Sequence, residues 1–431
     1  MKTRLSRRVK LGVLSLLMAA AFIPASVRAA ELRAGVARAD ITPPIGSTMY
    51  GYSARGSNVS AGVHDPLYAK ALVLDDGKTR VALATLDLGD IAHENTANIK
   101  AIVKEKTGIE SVLCVASHTH SAPWPGPEFP SEKDPWIREA ERKIAAAIVE
   151  AAGKTVPVRI GVGSGEVREG HNRRRVGEDG KVEMLWRNRE RIPTHPVDHQ
   201  LAVIRVDDLA GRSLATLVNF ACHPVVLGPE NLLISADYPG VLTRRLEEAI
   251  GGQAMFLQGA DGDINPFWDK TPPAEGAFEQ MDKMGSALAE EAIRVRREIS
   301  ALSADRRLSL HSEIIPLAHR DDIERRDRTF EAEVNTVLIG DDLALATFPG
   351  EFFVEHGLSL KARSRIANTL FVGYCNRRLR YFPTIQATTE GGYGAGRYGT
   401  SSATQVEVGA GERLVNRALI NLYHQAGLIV P

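Results

Sequence analysis

The chain has 431 residues, 44% hydrophobic and 25% charged, enough to bury one large core or two medium ones. Its 53 basic and 53 acidic residues cancel, and no long block of one sign occurs, which argues against a nucleic-acid partner. The cysteines, Cys114, Cys222 and Cys375, are odd in number and exclude a full disulfide framework; they read as small buried side chains with room for one bridge at most.

Residues 1–30 read as an export signal. A basic "MKTRLSRRVK" precedes an apolar "LGVLSLLMAAAFIPA", and small residues at Val27 and Ala29 set up cleavage after Ala29 or Ala30. The apolar run is short and Ala-rich for a spanning helix, so no membrane span is expected after cleavage; a retained anchor is the competing reading. "SRRVKL", Ser6 to Leu11, partly resembles a twin-arginine signal, but Lys10 stands where that signal prefers an apolar residue, so general secretion stays open. Either route gives a periplasmic or secreted protein.

Beyond residue 30, strands and helices alternate. "TRVALATLDL", the helical "ENTANIKAIVKEKTG" with Gly108 as C-cap, and "SVLCVASH" form a βαβ unit. A long amphipathic helix, "EKDPWIREAERKIAAAIVEAAG", leads to the strand "VPVRIGVGSGEV". "LAVIRVDD" and "SLATLVNFACH" pair around a polar turn, followed by the helix "YPGVLTRRLEEAIG", the strand "AMFLQGA" and the helix "GAFEQMDKMGSALAEEAIRVRREI". Strands at "RLSLHSEIIPLA", "EVNTVLIG" and "LALATF", a helix at "FFVEHGLSLKARS" and a strand at "TLFVGYC" come next. A Gly-, Thr- and Arg-rich stretch, Arg377 to Val406, reads as a long functional loop before the last helix. There is no repeat and no linker. The fold class is α/β, a layered mixed sheet with helices on its faces, in one domain over residues 31–431.

Chemistry concentrates at strand ends. His118 and His120 form an H-x-H after "SVLCVA"; residues two apart in a strand share a face, so both imidazoles would enter one space. His223 ends another strand in "NFACHP", with Asp237 in "SADYPG" beyond it. Glu351 follows Pro-Gly after "LALATF", where a carboxylate would also suit a helix start. Asp261 and Asp263 flank a glycine in "GADGDINP", a pattern that an Asx turn explains equally well. Two histidines and a carboxylate are a common zinc set. No zinc-finger spacing and no H-E-x-x-H occurs. The residues alone leave metal-assisted hydrolysis and plain structural roles both open.

The series "RAGVARADITPPIGSTMYGY", "HDPLYAKALVLDDG", "ASHTHSAP", "NFACHP", "SADYPG", "QGADGDINP", "FPGEF" and "YFPTIQATTEGGYG", from about Leu32 to Tyr423, resembles the neutral, non-lysosomal ceramidase family. The resemblance implies one catalytic zinc held by His118, His223, Glu351 and Tyr381. His120 would sit beside the metal and deliver a proton, Tyr393 would stabilise the oxyanion, and Arg173 in "HNRR" would orient polar substrate groups. The implied reaction is hydrolysis of the N-acyl amide of ceramide, or of a related small-molecule or lipid N-acyl substrate, by zinc-bound water. Asp263 and Asn265 would lie at the substrate-binding turn. Family members carry serine where this chain has Asn265, and they carry a further C-terminal immunoglobulin-like domain that is not expected here. Those departures keep a second substrate class open, a polar amide or ester derived from sugar or cell wall; a non-catalytic binding protein is the reading from another class. Oligomeric state has no signal in the sequence.

Overall fold

The structure is a computed structural model that describes residues 31–124, 135–320, 329–396 and 404–429. The expected signal segment, residues 1–30, lies outside the described residues.

Eight strands form the first sheet, in the spatial order 253–258, 213–220, 200–208, 156–166, 33–40, 68–75, 80–86 and 111–116. Only the outermost pair on each side is parallel. One of these is the expected βαβ unit, closed by the helix His93–Thr107, whose C-cap Gly108 takes φ 71° and returns its N–H to Lys104 O. The second sheet has four strands, 308–318, 329–339, 343–347 and 368–372.

The two sheets stack face to face. In the strand Tyr68–Asp75, Leu72 and Leu74 point into the inter-sheet core with Val337, Ile339 and Leu345. The alternate residues Ala69, Ala71 and Val73 point the other way, onto helices. Burial on both faces explains why these strands read as nearly unbroken apolar runs. Helices His93–Thr107 and Pro135–Gly153 cover one half of the first sheet's outer face; Asp237–Ile250 and Ala277–Glu298 cover the other. Val354–Arg363 and Ala410–Gln425 cover the second sheet. The layers therefore run helix, sheet, sheet, helix. The layered mixed α/β class expected from the sequence holds, with two sheets where the alternation suggested one. Each large aliphatic side chain buried in these layers, such as Leu288 or Leu360, contributes on the order of 2 kcal/mol.

The stretch expected as a long loop from Arg377 is not wholly irregular. Tyr381–Phe382 forms a short parallel pair with Glu351–Phe352. A helix follows at Ile385–Glu390, started by Thr384, whose hydroxyl accepts from Ala387 N at 3.0 Å. Gly, Thr and Pro in "YFPTIQATTEGG" mask that single turn and a half. Cys114, Cys222 and Cys375 are free and buried, so no bridge forms among them.

Candidate metal centre

The outer edges of the eight-stranded sheet come together at the site. Gln258, fully buried at the end of one edge strand, donates from its amide to Ser117 O (3.1 Å) and to Cys222 O (2.9 Å). Those carbonyls immediately precede the loops that carry His118 and His223, so one side chain ties both loops together.

His118 lies beyond the strand end at Ala116 and holds φ 70°. Strand alternation therefore does not aim the H-x-H pair, as the sequence suggested; a left-handed turn does. His118 Nδ1 lies 2.6 Å from Gly89 O, and its ring stacks on Tyr374 at 4.1 Å between centroids. His120 swings back so that its Nε2 is 3.3 Å from His118 Nε2. Gly51 permits this, because a Cβ there would fall 2.2 Å from His120 Nδ1.

His223 repeats the arrangement from the other side. Its Nδ1 lies 2.7 Å from Asp261 O. In both His118 and His223 the carbonyl contact requires N–H at Nδ1 and leaves the Nε2 lone pair facing inward. Glu351 Oε2 is 3.5 Å from His118 Nε2 and 3.5 Å from His223 Nε2. Glu351 does not cap a helix as one reading had it. It sits in the short strand Glu351–Phe352, in register with Tyr381, three residues ahead of the helix Val354–Arg363. Gly262 allows the close approach of that strand, since a Cβ there would lie 2.6 Å from Glu351 O.

The electrostatics follow from this packing. Burial opposes ionisation of Glu351, but His118 and then His223 hold its carboxyl well below the usual range. Burial likewise opposes a charged His118, yet Glu351 and Asp261 raise it overall. His120 is pushed well down by burial, then by His118 and His223. Burial and the Glu351 charge lift the Tyr381 phenol well above its ordinary value.

The residues fit a divalent cation. His223 Nε2 and Glu351 Oε2 are buried without a hydrogen bond among the described residues. Ligand nitrogens of His118, His120 and His223 all lie within 4.8 Å of one another. Nitrogen and carboxylate donors of this kind suit zinc and its borderline neighbours.

Tyr381, Tyr393 and Arg173 stand together on one side. The Tyr381 hydroxyl is 3.3 Å from Arg173 Nη2, and the Tyr381 and Tyr393 rings are 5.3 Å apart. Arg173 is buried behind these rings, 5.1 Å from the Tyr393 centroid, and bonds Asn265 Oδ1 at 2.9 Å. Asn265 passes its other amide end to Asp269 at 2.9 Å. Asp263 gives one carboxylate oxygen to Val354 N, starting that helix, and the other to Asn172, both at 2.8 Å. Asp263 and Asn265 thus stand behind the cleft with their polar atoms already engaged, where the sequence reading had them facing substrate.

A cleft of about 410 Å³ opens over His118, His120 and Glu351, walled by Met49, Tyr50, Tyr52, Trp124, Arg378 and Arg380, with Asp90 at its side. Sequence reasoning singled out neither Gln258 nor Tyr374, which donates to Asp261 Oδ1 at 2.6 Å. Nothing around "YC" marks Tyr374; its role depends on a left-handed φ of 53° that only the fold imposes.

A family described as "Neutral/alkaline non-lysosomal ceramidase, N-terminal" matches residues 32–280. That span holds His118, His120, Arg173 and His223; Glu351, Tyr381 and Tyr393 lie beyond it. Neutral ceramidase A of Dictyostelium discoideum is 27% identical over 252 residues, 53% of this chain and 35% of that protein. Neutral ceramidase of Drosophila melanogaster is 33% identical over 100 residues, 22% of this chain and 14% of that protein. This chain thus spans about a third or less of the curated relatives it matches. The crystal structure of neutral ceramidase from Pseudomonas aeruginosa superposes with a TM-score of 0.74 at 19% identity, over 93% of this chain and 75% of that one.

Proposed function

This chain belongs to the neutral/alkaline non-lysosomal ceramidase family, and from that premise we propose that it is a zinc-dependent amidohydrolase that cleaves the N-acyl bond of ceramide or a related N-acyl compound. One observation carries the reading: two buried imidazoles, each fixed through Nδ1 to a carbonyl, turn Nε2 toward a buried carboxylate oxygen that makes no hydrogen bond among the described residues.

His118, His223 and Glu351 would hold the ion, with Tyr381 as a fourth ligand. Bound there, zinc supplies Lewis-acid polarisation of the amide carbonyl and brings the pKa of water toward neutrality. Every other step belongs to the chain. Gly89 O and Asp261 O fix the two imidazoles, so the ligand set needs little reorganisation. Tyr393 faces the cleft and donates to the carbonyl oxygen as that oxygen gains charge. His120, one ring away from His118 and held neutral by burial, takes the proton that the attacking water gives up and passes it to the departing amine. Arg173 holds the Tyr381 hydroxyl from behind and, with its guanidinium against the Tyr393 ring, keeps Tyr393 in place. The apolar wall at Met49, Tyr50 and Trp124 shelters the acyl stem.

Purified protein incubated with labelled short-chain ceramide and a panel of N-acyl amides tests the reading. Acyl release should stop with chelator and return with added zinc. Release that ignores the chelator, or no release from any N-acyl compound by zinc-loaded protein, refutes it. Export is part of the proposal: residues 1–30 should be absent from the mature protein, and N-terminal sequencing of material from the native host, finding Met1 retained, would overturn it.

A further inference from the structure

Resting on the amide-hydrolase reading, the cleft wall identifies a substrate class. We propose that Arg380 is a specificity residue that pairs with an anionic group, carboxylate or phosphate, a few bonds from the scissile amide nitrogen. The substrate is then an N-acyl amino acid or a similar charged N-acyl compound in preference to a neutral one.

Every other arginine near the centre is engaged. Arg173 bonds Asn265 and Tyr381. Arg174 pairs with Glu390 at 3.1 Å. Arg378 lies 3.6 Å from Asp90 and 4.6 Å above the Trp124 ring. Arg380 is half-buried in the cleft wall, and among the described residues no carboxylate, carbonyl or ring engages its guanidinium. The acids of the cleft are already answered, Asp90 by Arg378 and Glu351 by the two histidines. Among the described residues Arg380 is therefore an excess positive charge, and an ion at His118, His223 and Glu351 would raise the excess further. A partly desolvated guanidinium without a partner is unfavourable unless a ligand completes it.

The backbone argues the same way. Arg380 holds φ 58°, a conformation that glycine or asparagine adopts with less strain. Its carbonyl accepts from Glu351 N at 2.8 Å, so the strain cannot relax without moving Glu351. Arg380 also directly precedes Tyr381, the register partner of Glu351. Its side chain thus starts beside the ligand set, which places the recognised anion near the reacting amide and away from the far end of an acyl chain.

The test uses a matched pair, N-dodecanoylglycine and its neutral analogue N-dodecanoylglycinamide, with N-dodecanoyl-phosphoethanolamine as the phosphate arm. Zinc-loaded wild type should favour the charged amides, and the stronger of the two names the anion. Arg380→Gln should cut the charged-to-neutral ratio of kcat/KM about tenfold or more, through KM, and Arg380→Lys should restore part of it. Calorimetric binding of the glycine compound to chelator-treated protein should weaken by a similar factor in Arg380→Gln. Equal turnover of the matched pair, unmoved by Arg380→Gln, overturns the anion site and leaves the hydrolase standing. No turnover of any arm, with Arg380-dependent binding retained, refutes the hydrolase and upholds the anion site; loss of both overturns both.

Discussion

The floor of the cleft and its wall are built on opposite principles. On the floor, each candidate ligand is pinned from behind: His118 by Gly89 O, His223 by Asp261 O, Glu351 by its strand pairing with Tyr381. On the wall, charges meet loosely, as Arg378 and Asp90 do at 3.6 Å, or, among the described residues, not at all, as at Arg380. A pinned floor fixes geometry and hence the kind of reaction. A wall with spare charge leaves room for a ligand to complete it, and so governs which molecule reacts. One family can keep the first and vary the second.

The sharpest way to break this division is to separate two histidines that touch. His118→Ala removes a proposed ligand and should cost roughly a thousandfold or more in turnover together with most of the bound metal, read by elemental analysis of the purified protein. His120→Gln should keep the metal and lose about a hundredfold or more in kcat. If His120→Gln loses metal as His118→Ala does, His120 belongs to the ligand set and the proton must come from elsewhere.

A smaller effect is expected one step behind the floor. The Tyr374 hydroxyl donates to Asp261 Oδ1 at 2.6 Å, while Asp261 O receives His223 Nδ1 at 2.7 Å. Tyr374→Phe keeps the ring that stacks on His118 and removes only the donor. Zinc affinity should fall about ten- to hundredfold in competition with a chromogenic chelator, with the circular dichroism spectrum unchanged. An unaltered affinity would mean that Asp261 is positioned by its backbone alone.

How much of this was legible beforehand depends on the range of the information. The strands and helices could be read because two-sided burial writes long apolar runs, and Gly108 could be read as a cap because its conformation is local. His118, His223 and Glu351 stood out because such residues are unusual at the ends of apolar strands. The stacking of two sheets was not legible, since Leu72 carries no mark saying whether a helix or a second sheet will cover it. Gln258 and Tyr374 were hidden for the same reason: each acts on a partner more than a hundred positions away. Asp263 and Asn265 were legible as important but not in role, because a carboxylate that starts a helix and one that meets a substrate look alike in sequence.

The least costly change tests the turn that serves both regions. Asp87 opens the segment whose Gly89 carbonyl pins His118 and whose Asp90 faces Arg378, and it accepts Tyr68 N at 2.9 Å. Burial raises its carboxyl to about 6, against the pull of Lys70 and the Tyr68 N–H. The unfolded chain titrates this group near its ordinary value of about 4, so between those two values the folded state binds more protons than the unfolded state. Its contribution to stability is therefore complete below about pH 4 and is lost as pH rises through about 6. Each pKa unit corresponds to about 1.4 kcal/mol, and the partial solvent access of Asp87 reduces the effect to roughly 1–2 kcal/mol. Asp87→Asn retains an oxygen for Tyr68 and removes the titration. Urea unfolding should find the variant more stable than its parent at neutral pH, with the gap closing toward pH 4. A gap of constant size would locate the effect in packing, and a variant less stable at neutral pH would mean that the Lys70 charge outweighs burial in holding the turn beneath both floor and wall.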